Sequence, residues 1–519
     1  MKTKNKNSNV IFLLFIVFSY LCGKEDEIMD ELDNAKVFVV TFPLKTEPWQ
    51  EDRINKMLRM LTVHYNNKQE ILVSRYRHLS HSDEFHEAKK GGLSEFRKFM
   101  SSHGFTKFDI EKVFADSSKS NSVTNEQMLC HGLNSMIIQE QSHRAWSAWE
   151  KRLYGTGKFV RTETEVTSFK SRKCKNVITG FQYSLTDFTV TMTAQKPHRH
   201  VMFTIPFEVN KNSEYELFAL HQEIRNIAIV RKEVRGRQKF YVQFSFAGVP
   251  YNKCRCIGQG VVGIDPGPGK IAIVSDDMVA VKPLATNISE DERMVARLRR
   301  RLDRSRRATN PQMYNADGTT KRGERQKVFS NHYIRTRAEL ADHQRKLAAK
   351  RKIAHNELAN ELLSLGNEFR VEKNSFRSMQ SRSKKSEKTA SGKNRSKKRF
   401  GKSLKNHAPS EFLTILENKV RQYSDGVFVD IPASTACTQF DFTNGEFTKH
   451  ELQERTIVTS DGIRHDRDAL AAFNMKHVNV SRITGKKKIE KDKENFDTDS
   501  MQMAYGHFCE MEQRINRDL

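Results

Sequence analysis

The chain has 519 residues, 37% of them hydrophobic, and a formal net charge of +26 from 89 Lys and Arg against 63 Asp and Glu. That length suits about two to four domains with real cores, and the charge calls for a polyanionic partner, nucleic acid before membrane. Seven cysteines scattered along so long a chain exclude a disulfide framework; Cys254 and Cys256 form a lone thiol pair, a weak metal signal.

The first stretch, "MKTKNKNSNVIFLLFIVFSYLCG", puts lysines at 2, 4 and 6 ahead of an apolar run from Val10 to Cys22. It resembles a secretory signal peptide, too short to span a bilayer comfortably and without a small-x-small cleavage site. Met29 follows, and then "AKVFVVTFPL" begins like a domain's first strand. Residues 1–28 therefore read as a signal-like or spurious extension, and the rest as a cytoplasmic protein with no membrane partner. An exported basic protein is the alternative, and it rests on those residues alone.

Residues 36–45 alternate like a strand. The stripe Ile54, Leu58, Leu61 and Tyr65 predicts a helix after them. Residues 92–153 read as mainly helical, interrupted by "DSSKSNSVTN". Trp146 and Trp149 in that region suit a helical core, with stacking on bases as the second reading. From 157 the pattern turns to strands: "FVRTETEV", "FQYSLTDFTVTMTA", "RHVMFTIPFEV", "IAIVRKEV" and "KFYVQFSFAG". A β-rich domain thus brackets a helical insertion, and residues 36–45 supply one of its strands.

The segment "GVVGIDPGPGKIAIV" (260–274) follows. An apolar strand through Val261, Val262 and Ile264 runs into Asp265, a Pro-Gly-Pro-Gly turn and a second strand. Next, Arg297, Arg299, Arg300, Arg301, Arg304, Arg306 and Arg307 crowd one short stretch. Phosphate contact with strong salt dependence is the expected role; a solvated helix face with local ion pairs is the plain one. A long helix over 334–366 is predicted to line one face with Leu340, Leu347, Ile353, Leu358 and Leu362. It also carries Lys346, Lys350, Arg351 and Lys352 as less distinctive phosphate contacts. The strand "EFRVE" comes next, then a basic low-complexity stretch at 381–399, a helix over 409–423, the strand "GVFVDI" and a helix from about 467. Residues 481–519 read as a charged, poorly ordered tail.

Three carboxylates stand out on separate elements. Asp265 ends a strand. Glu372 ends "EFRVE" facing away from Phe369 and Val371. "HDRDALAAFNM" opens a helix with Asp466 or Asp468 in its first turn, and Ala469, Ala471 and Ala472 let it approach a sheet closely. Asp265, Glu372 and Asp468 at one point could not all stay ionised without a counter-charge, which hard divalent cations supply. Two such metals can clamp a phosphodiester. Taken singly, each acid also fits a bland role as turn former, strand end or helix cap.

In order along the chain, these motifs resemble one family. "GIDPGPGKIAIV" is similar to the first RuvC motif of TnpB-type transposon-encoded nucleases, relatives of IscB, Fanzor and type V CRISPR effectors. "RRRLDRSRRATNPQMYNADGT" with "RKLAAKRKIAHNELANELLSLGNEF" resembles the family's basic helical segment. "VEKNSFRSM" through "RFGKSLKNHAPSEFLTILENKV" resembles the segment of its second RuvC motif, "VFVDIPASTACTQF" the approach to its zinc ribbon, and "HDRDALAAFNM" its third RuvC motif. The resemblance is detailed over about 260–480 and looser over 36–255. "VFVVTFPLKTEPWQEDRINKML" resembles the family's usual start, which points to Met29.

The resemblance implies an α/β, RNase H-like (RuvC) nuclease domain: a mixed sheet flanked by helices, preceded by a β-rich wedge domain with a helical recognition insertion. The implied domains are 29–90, wedge strand and start of the helical lobe; 91–156, recognition lobe; 157–256, wedge; and 257–480, nuclease with basic helical insertion and degenerate zinc-ribbon region. Asp265, Glu372 and Asp468 fall on the family's metal-binding acids, with Asp430 as an alternative second acid. The implied activity is magnesium-dependent, RNA-guided DNA cleavage, with a two-metal site, a guide RNA and a target DNA as partners, and no small-molecule substrate. The chain departs from the family at the ribbon. Cys437 matches its first cysteine, and with His450 and His465 it makes no convincing tetrahedral set, so no structural zinc is expected. Leu470 stands where many relatives have asparagine. A catalytically decayed protein that binds RNA and DNA is the alternative reading.

Overall fold

A computed structural model describes residues 36–517, apart from 116–124, 156, 175–176, 195–201, 252–255, 287, 317, 322–327, 374, 382–399, 452–453 and 486–488. The signal-like stretch 1–28, Met29, Cys254 and nearly all of the low-complexity insert lie outside the described residues. The chain divides into two compact units, 1–252 and 253–519.

The first unit opens with β1 (Val37–Pro43), whose alternation turns Phe38, Val40 and Phe42 inward. Helix α1 (Pro48–Leu79) starts on a proline at its first turn and a reciprocal Glu47–Gln50 capping box. Helices α2 (Asp83–Lys90), α3 (Leu93–Ser102), α4 (Lys107–Ala115), α5 (Asn125–Leu129) and α6 (Ser135–Leu153) follow. Then come β2 (Ser168–Cys174), β3 (Val177–Ile178), β4 (Phe181–Ser184), β5 (Thr189–Met192), β6 (Phe203–Pro206), α7 (Glu214–Leu220), β7 (Ile224–Val234) and β8 (Arg237–Ala247). Strand β1 pairs with β8 in the sheet order β1-β8-β7-β2-β3, and β4-β5-β6 form a second sheet. The N-terminal strand does join the later β-rich region, and the helices lie between.

Helix α1 serves two cores. Ile54, Met57, Leu58 and Leu61 bury against the sheet residues, whereas Tyr65 and Leu72 join Phe85, Phe96, Phe105, Phe114 and Trp149. Trp149 is fully buried and donates its indole N–H to Gln69 Oε1 at 2.9 Å, and Trp146 packs on the same cluster. Both tryptophans take the core reading. The "FVRTETEV" stretch is not a strand: Phe159 is exposed, Val160 packs partly buried against the helical core, and Val166 is buried.

The second unit holds β9 (Val261–Pro266), β10 (Lys270–Val274), β11 (Val279–Pro283), α8 (Ser289–Thr309), α9 (Asn331–Leu363), β12 (Glu368–Glu372), α10 (Phe376–Met379), α11 (Gly401–His407), α12 (Pro409–Val420) and β13 (Val427–Ile431). Short strands β14 (Phe440–Asp441), β15 (Glu446–Phe447), β16 (Thr456–Val458) and β17 (Arg464–Asp466) lead to α13 (Arg467–Lys476), α14 (Val480–Ile483) and α15 (Thr498–Arg517). The sheet runs β11-β10-β9-β12-β13: an antiparallel meander of three, then β12 and β13 parallel to β9. This is a mixed sheet within an α/β unit.

Both faces of that sheet are covered, which is why β9 and β10 read as near-continuous apolar runs. On one face Val262, Ile264, Ile271, Ile273, Phe369 and Val371 meet Ala359, Leu362, Phe412 and Leu416 of α9 and α12. On the other, Ala272, Val274 and Ile431 meet Ala469, Ala472, Phe473 and Met475 of α13. A methyl on Gly263 would sit 2.0 Å from the Ala472 carbonyl oxygen. Only glycine there, facing small residues on the helix, allows α13 to lie so near β9.

Two expectations need correction. On α9 the buried stripe is His355, Ala359, Leu362 and Leu363, and Ile353 is 59% exposed. Two residues from His355 is about 200° of helix rotation, so Ile353 turns away from the sheet. The supposed tail carries α15, whose Met501, Tyr505, Phe508, Cys509 and Glu512 are buried. Their spacing is an amphipathic helical stripe, masked in composition by the acids and bases between them.

Candidate functional site: a carboxylate cluster

Strands β9 and β12 are parallel neighbours with Ile264 level with Val371, so the next residues, Asp265 and Glu372, come off the same edge of the sheet. Side-chain parity fixes their face. Asp265 is registered opposite Ala272, which belongs to the α13 face. Glu372 lies two residues beyond Arg370, whose guanidinium donates to the carbonyl oxygens of Lys476 (2.6 Å) and Val478 (2.7 Å) at the end of α13. Helix α13 brings the third acid to this side. Its cap is Asp466, whose Oδ1 accepts from the N–H groups of Asp468 (2.9 Å) and Ala469 (3.0 Å). Capping occupies Asp466 and leaves Asp468 as the first-turn carboxylate.

The electrostatics show the convergence. Asp265 is pushed well above the ordinary carboxylate range, first by desolvation, then by the charges of Glu372 and Asp468, with Arg467 opposing. Glu372 is only 8% exposed. Asp468 is held on Oδ1 by Arg467 (Nη2 at 3.0 Å) and on Oδ2 by Arg455 (Nη1 at 3.4 Å). Arg467 also reaches the Glu454 carbonyl at 3.2 Å. Sequence reading missed both arginines; Arg467, adjoining the acid in a charged helix start, was the available signal.

Asp430 goes elsewhere. It shares a side of β13 with Phe428, which packs on the α9 and α12 face, while Ile431, level with Glu372, points to the α13 face. Its carboxylate is half exposed and paired with Lys373 at 2.5 Å. Cys437 is fully buried among apolar residues, its thiol pushed well up by burial and then by Glu372 and Asp265. His465 is engaged by Glu512 and Tyr505, and His450 by Glu454.

The donor set of Asp265, Glu372 and Asp468 is all carboxylate oxygen and mutually repelling, which suits a hard divalent cation. Among the described residues no group of three His, Cys, Asp or Glu is arranged to hold an ion. The arginines on Asp468 supply local counter-charge. A cleft of about 1100 Å³ lies at the opposite end of β9, lined by Gly260, Val261, Asp276, Lys476 and His477 among others, away from the acids.

The basic residues divide into two groups. On α8, Arg297, Arg299, Arg300 and Arg304 are exposed and line a concavity of about 600 Å³ with Asp303. Among the described residues these four enter no ion pair. Arg306 and Arg307 pair with Asp303, and Arg301 with Glu339. On α9, Lys346 pairs with Asp342 and Lys350 with Asp291. Arg351 is mostly buried and ties α9 to Glu411 of α12 at 2.9 Å and to the Lys405 carbonyl at 3.2 Å. Lys352 is exposed.

No protein-family model matches the chain, and no curated protein matches its sequence. Among solved structures it is similar to a Cas12f1–sgRNA–target DNA complex (TM-score 0.44, 11% identity, 85% of this chain and 98% of that one). It is also similar to a CRISPR-Cas12f ternary complex (TM-score 0.26, 11% identity, 85% and 99%) and to a Cas12i1 R-loop complex before target DNA cleavage (TM-score 0.28, 10% identity, 76% and 56%). Similarity at this level leaves function to be argued from the side chains. No helix among the described residues is long and apolar enough to cross a membrane.

Proposed function

We propose that this chain is a transposon-associated, RNA-guided DNA endonuclease of the TnpB type, acting in the cytoplasm, whose second unit is an RNase H-like (RuvC) nuclease. One observation carries the reading: strand register and the capped start of α13 bring Asp265, Glu372 and Asp468 to one side of the sheet, where burial and both neighbouring acids push Asp265 well above the ordinary carboxylate range. Asp265, Glu372 and Asp468 would hold magnesium, which activates water and stabilises the leaving oxygen of a phosphodiester. The protein's own part is positional. The sheet edge fixes two of the acids, the Asp466 cap fixes the backbone under the third, and the exposed arginines of α8 hold the phosphate backbone of guide RNA or target DNA. Cys437 packs among apolar residues while His465 and His450 are engaged by other side chains, which supports a ribbon region that works without zinc.

With cognate RNA and Mg²⁺ the full chain should cut target DNA, and Asp265→Ala should cut nothing while binding RNA and DNA as wild type does. An Asp265→Ala protein that cuts at the wild-type rate sinks the assignment. The second reading, a decayed binding protein, is favoured by the ion pairs that already neutralise Asp468. Wild-type protein that binds both nucleic acids and cuts neither would establish it.

A further inference from the structure

The acid on α13 is backed by a buried polar chain that begins in α15. Glu512 is 5% exposed. Its Oε1 accepts the N–H of Asp466 at 2.7 Å, and its Oε2 lies 2.6 Å from His465 Nδ1. The other nitrogen of His465, Nε2, lies 2.8 Å from the hydroxyl of Tyr505, which donates to Asp461 Oδ2 at 2.8 Å. Asp466 in turn caps α13 through the N–H groups of Asp468 and Ala469. A continuous set of bonds therefore runs from α15 through β17 to the backbone of Asp468.

Packing alone does not account for this chain. Met501, Phe508 and Cys509 already seat α15 in the core. An apolar residue at 512 would fill the same space but would leave the Asp466 N–H and His465 Nδ1 without the carboxylate that now engages both. What Glu512 adds is directional: it fixes the Asp466 N–H and the His465 ring, and so the entry angle of the chain into the first turn of α13. A first-turn side chain takes its direction from that entry.

We propose that Glu512, assisted by Tyr505, is a positioning residue for Asp468, so that the C-terminal helix is an integral support of the carboxylate site. This rests on the reading of Asp265, Glu372 and Asp468 as a divalent-cation site. Support of this kind around metal-binding carboxylates typically governs affinity by roughly 10- to 100-fold.

The test uses the full chain and Mn²⁺ as probe, its binding followed by electron paramagnetic resonance and folding by circular dichroism. Glu512→Ala should bind Mn²⁺ roughly 10- to 100-fold more weakly while folded. Glu512→Gln keeps an acceptor for the Asp466 N–H and should recover most of the affinity. Tyr505→Phe keeps the ring in the core and should weaken binding in the same direction, so it carries the test if Glu512→Ala fails to fold. Folded variants with wild-type Mn²⁺ affinity overturn the proposal. Asp265→Ala and Asp468→Ala separate the two levels. If they abolish Mn²⁺ binding and the Glu512 and Tyr505 variants leave it intact, only the positioning role falls. If they too leave it intact, the cation site falls first.

Discussion

Two regions of the second unit concentrate charge of one sign, and they do so in opposite ways. The arginines of α8 crowd one helix, and Arg297, Arg299, Arg300 and Arg304 are exposed and outside any ion pair among the described residues. The acids Asp265, Glu372 and Asp468 come from three distant segments and act on one another around the buried Asp265. Exposed like charges are screened by water and salt, so they persist until a polyanion arrives. Desolvated like charges are not screened. They must take up protons, borrow cations from the protein, or bind them. Two of these responses are built into the acid cluster: Asp265 is raised above the ordinary carboxylate range, and Asp468 leans on Arg455 and Arg467.

The largest effect should come from the exposed region. Replacing Arg297, Arg299, Arg300 and Arg304 together by alanine should flatten the dependence of nucleic-acid affinity on salt. The slope of log affinity against log salt falls by about 0.9 per lost duplex phosphate contact, nearly tenfold in affinity per contact at about 0.1 M salt. Salt-titrated binding measures this directly. An unchanged slope would mean that α8 is a solvated face, and the comparison between the two regions would collapse.

The next effect tests the scaffold that gathers the acids. Gly263→Ala places a methyl against the Ala472 backbone oxygen, and backbone cannot swing aside as a side-chain end can. Overpacking of this kind should cost about 1–3 kcal/mol in chemical denaturation, with weaker Mn²⁺ binding as α13 is displaced from β9.

A smaller effect, with a definite sign, comes from Asp265 itself. Its folded-state value is raised above the ordinary 3.8, so the unfolded chain gives up this proton more readily than the folded one. Stability from this group is greatest below 3.8 and is lost as pH rises through the raised value. Asparagine mimics the protonated form. Asp265→Asn should therefore melt higher than wild type near neutral pH in chelator, and the advantage should vanish in acid. Added Mg²⁺ should reverse the order, since only wild type gains ligand stabilisation, about 2.7 kcal/mol at a hundredfold excess over Kd. A lower melting temperature for Asp265→Asn in chelator would show that the carboxylate is compensated by the protein alone.

The same contrast explains what could be read in advance. The arginine run needs no fold to be seen. The strands around Asp265 and Glu372 were legible because "VVGI" is a short apolar run ending in an acid and "EFRVE" alternates apolar with charged residues. The choice of Glu372 over Asp430 needed the structure, because it depends on which face of the sheet each residue takes, and that is set by the register of β13 with β12. Arg455 was invisible for a related reason: a short hairpin brings it beside Arg467, whose N–H donates to the Arg455 carbonyl at 2.9 Å. Helix α15 was missed because its polar residues dominate the composition, although Met501, Tyr505, Phe508 and Glu512 recur at helical spacing. Composition reports the solvated side of a helix, whereas its buried stripe decides whether it is ordered.

Arg455 gives the smallest effect and the sharpest discrimination. Its side chain is 64% exposed and its contact with Asp468 is 3.4 Å, so the pair is worth at most about 1 kcal/mol of stability. Arg455→Ala should leave the denaturation midpoint almost unchanged. Its effect on Mn²⁺ affinity depends on what the arginine does. If Arg455 stands in for a cation, removing it takes away a competitor for Asp468, and Mn²⁺ should bind a few-fold more tightly, most clearly at low salt where the pair is least screened. If Arg455 instead aims the carboxylate at its neighbours, binding should weaken, and raising the salt in wild type should weaken it likewise. Tighter binding is the expected result, because Arg467 holds the other oxygen at 3.0 Å from a largely buried position and does not need its exposed partner to keep Asp468 oriented.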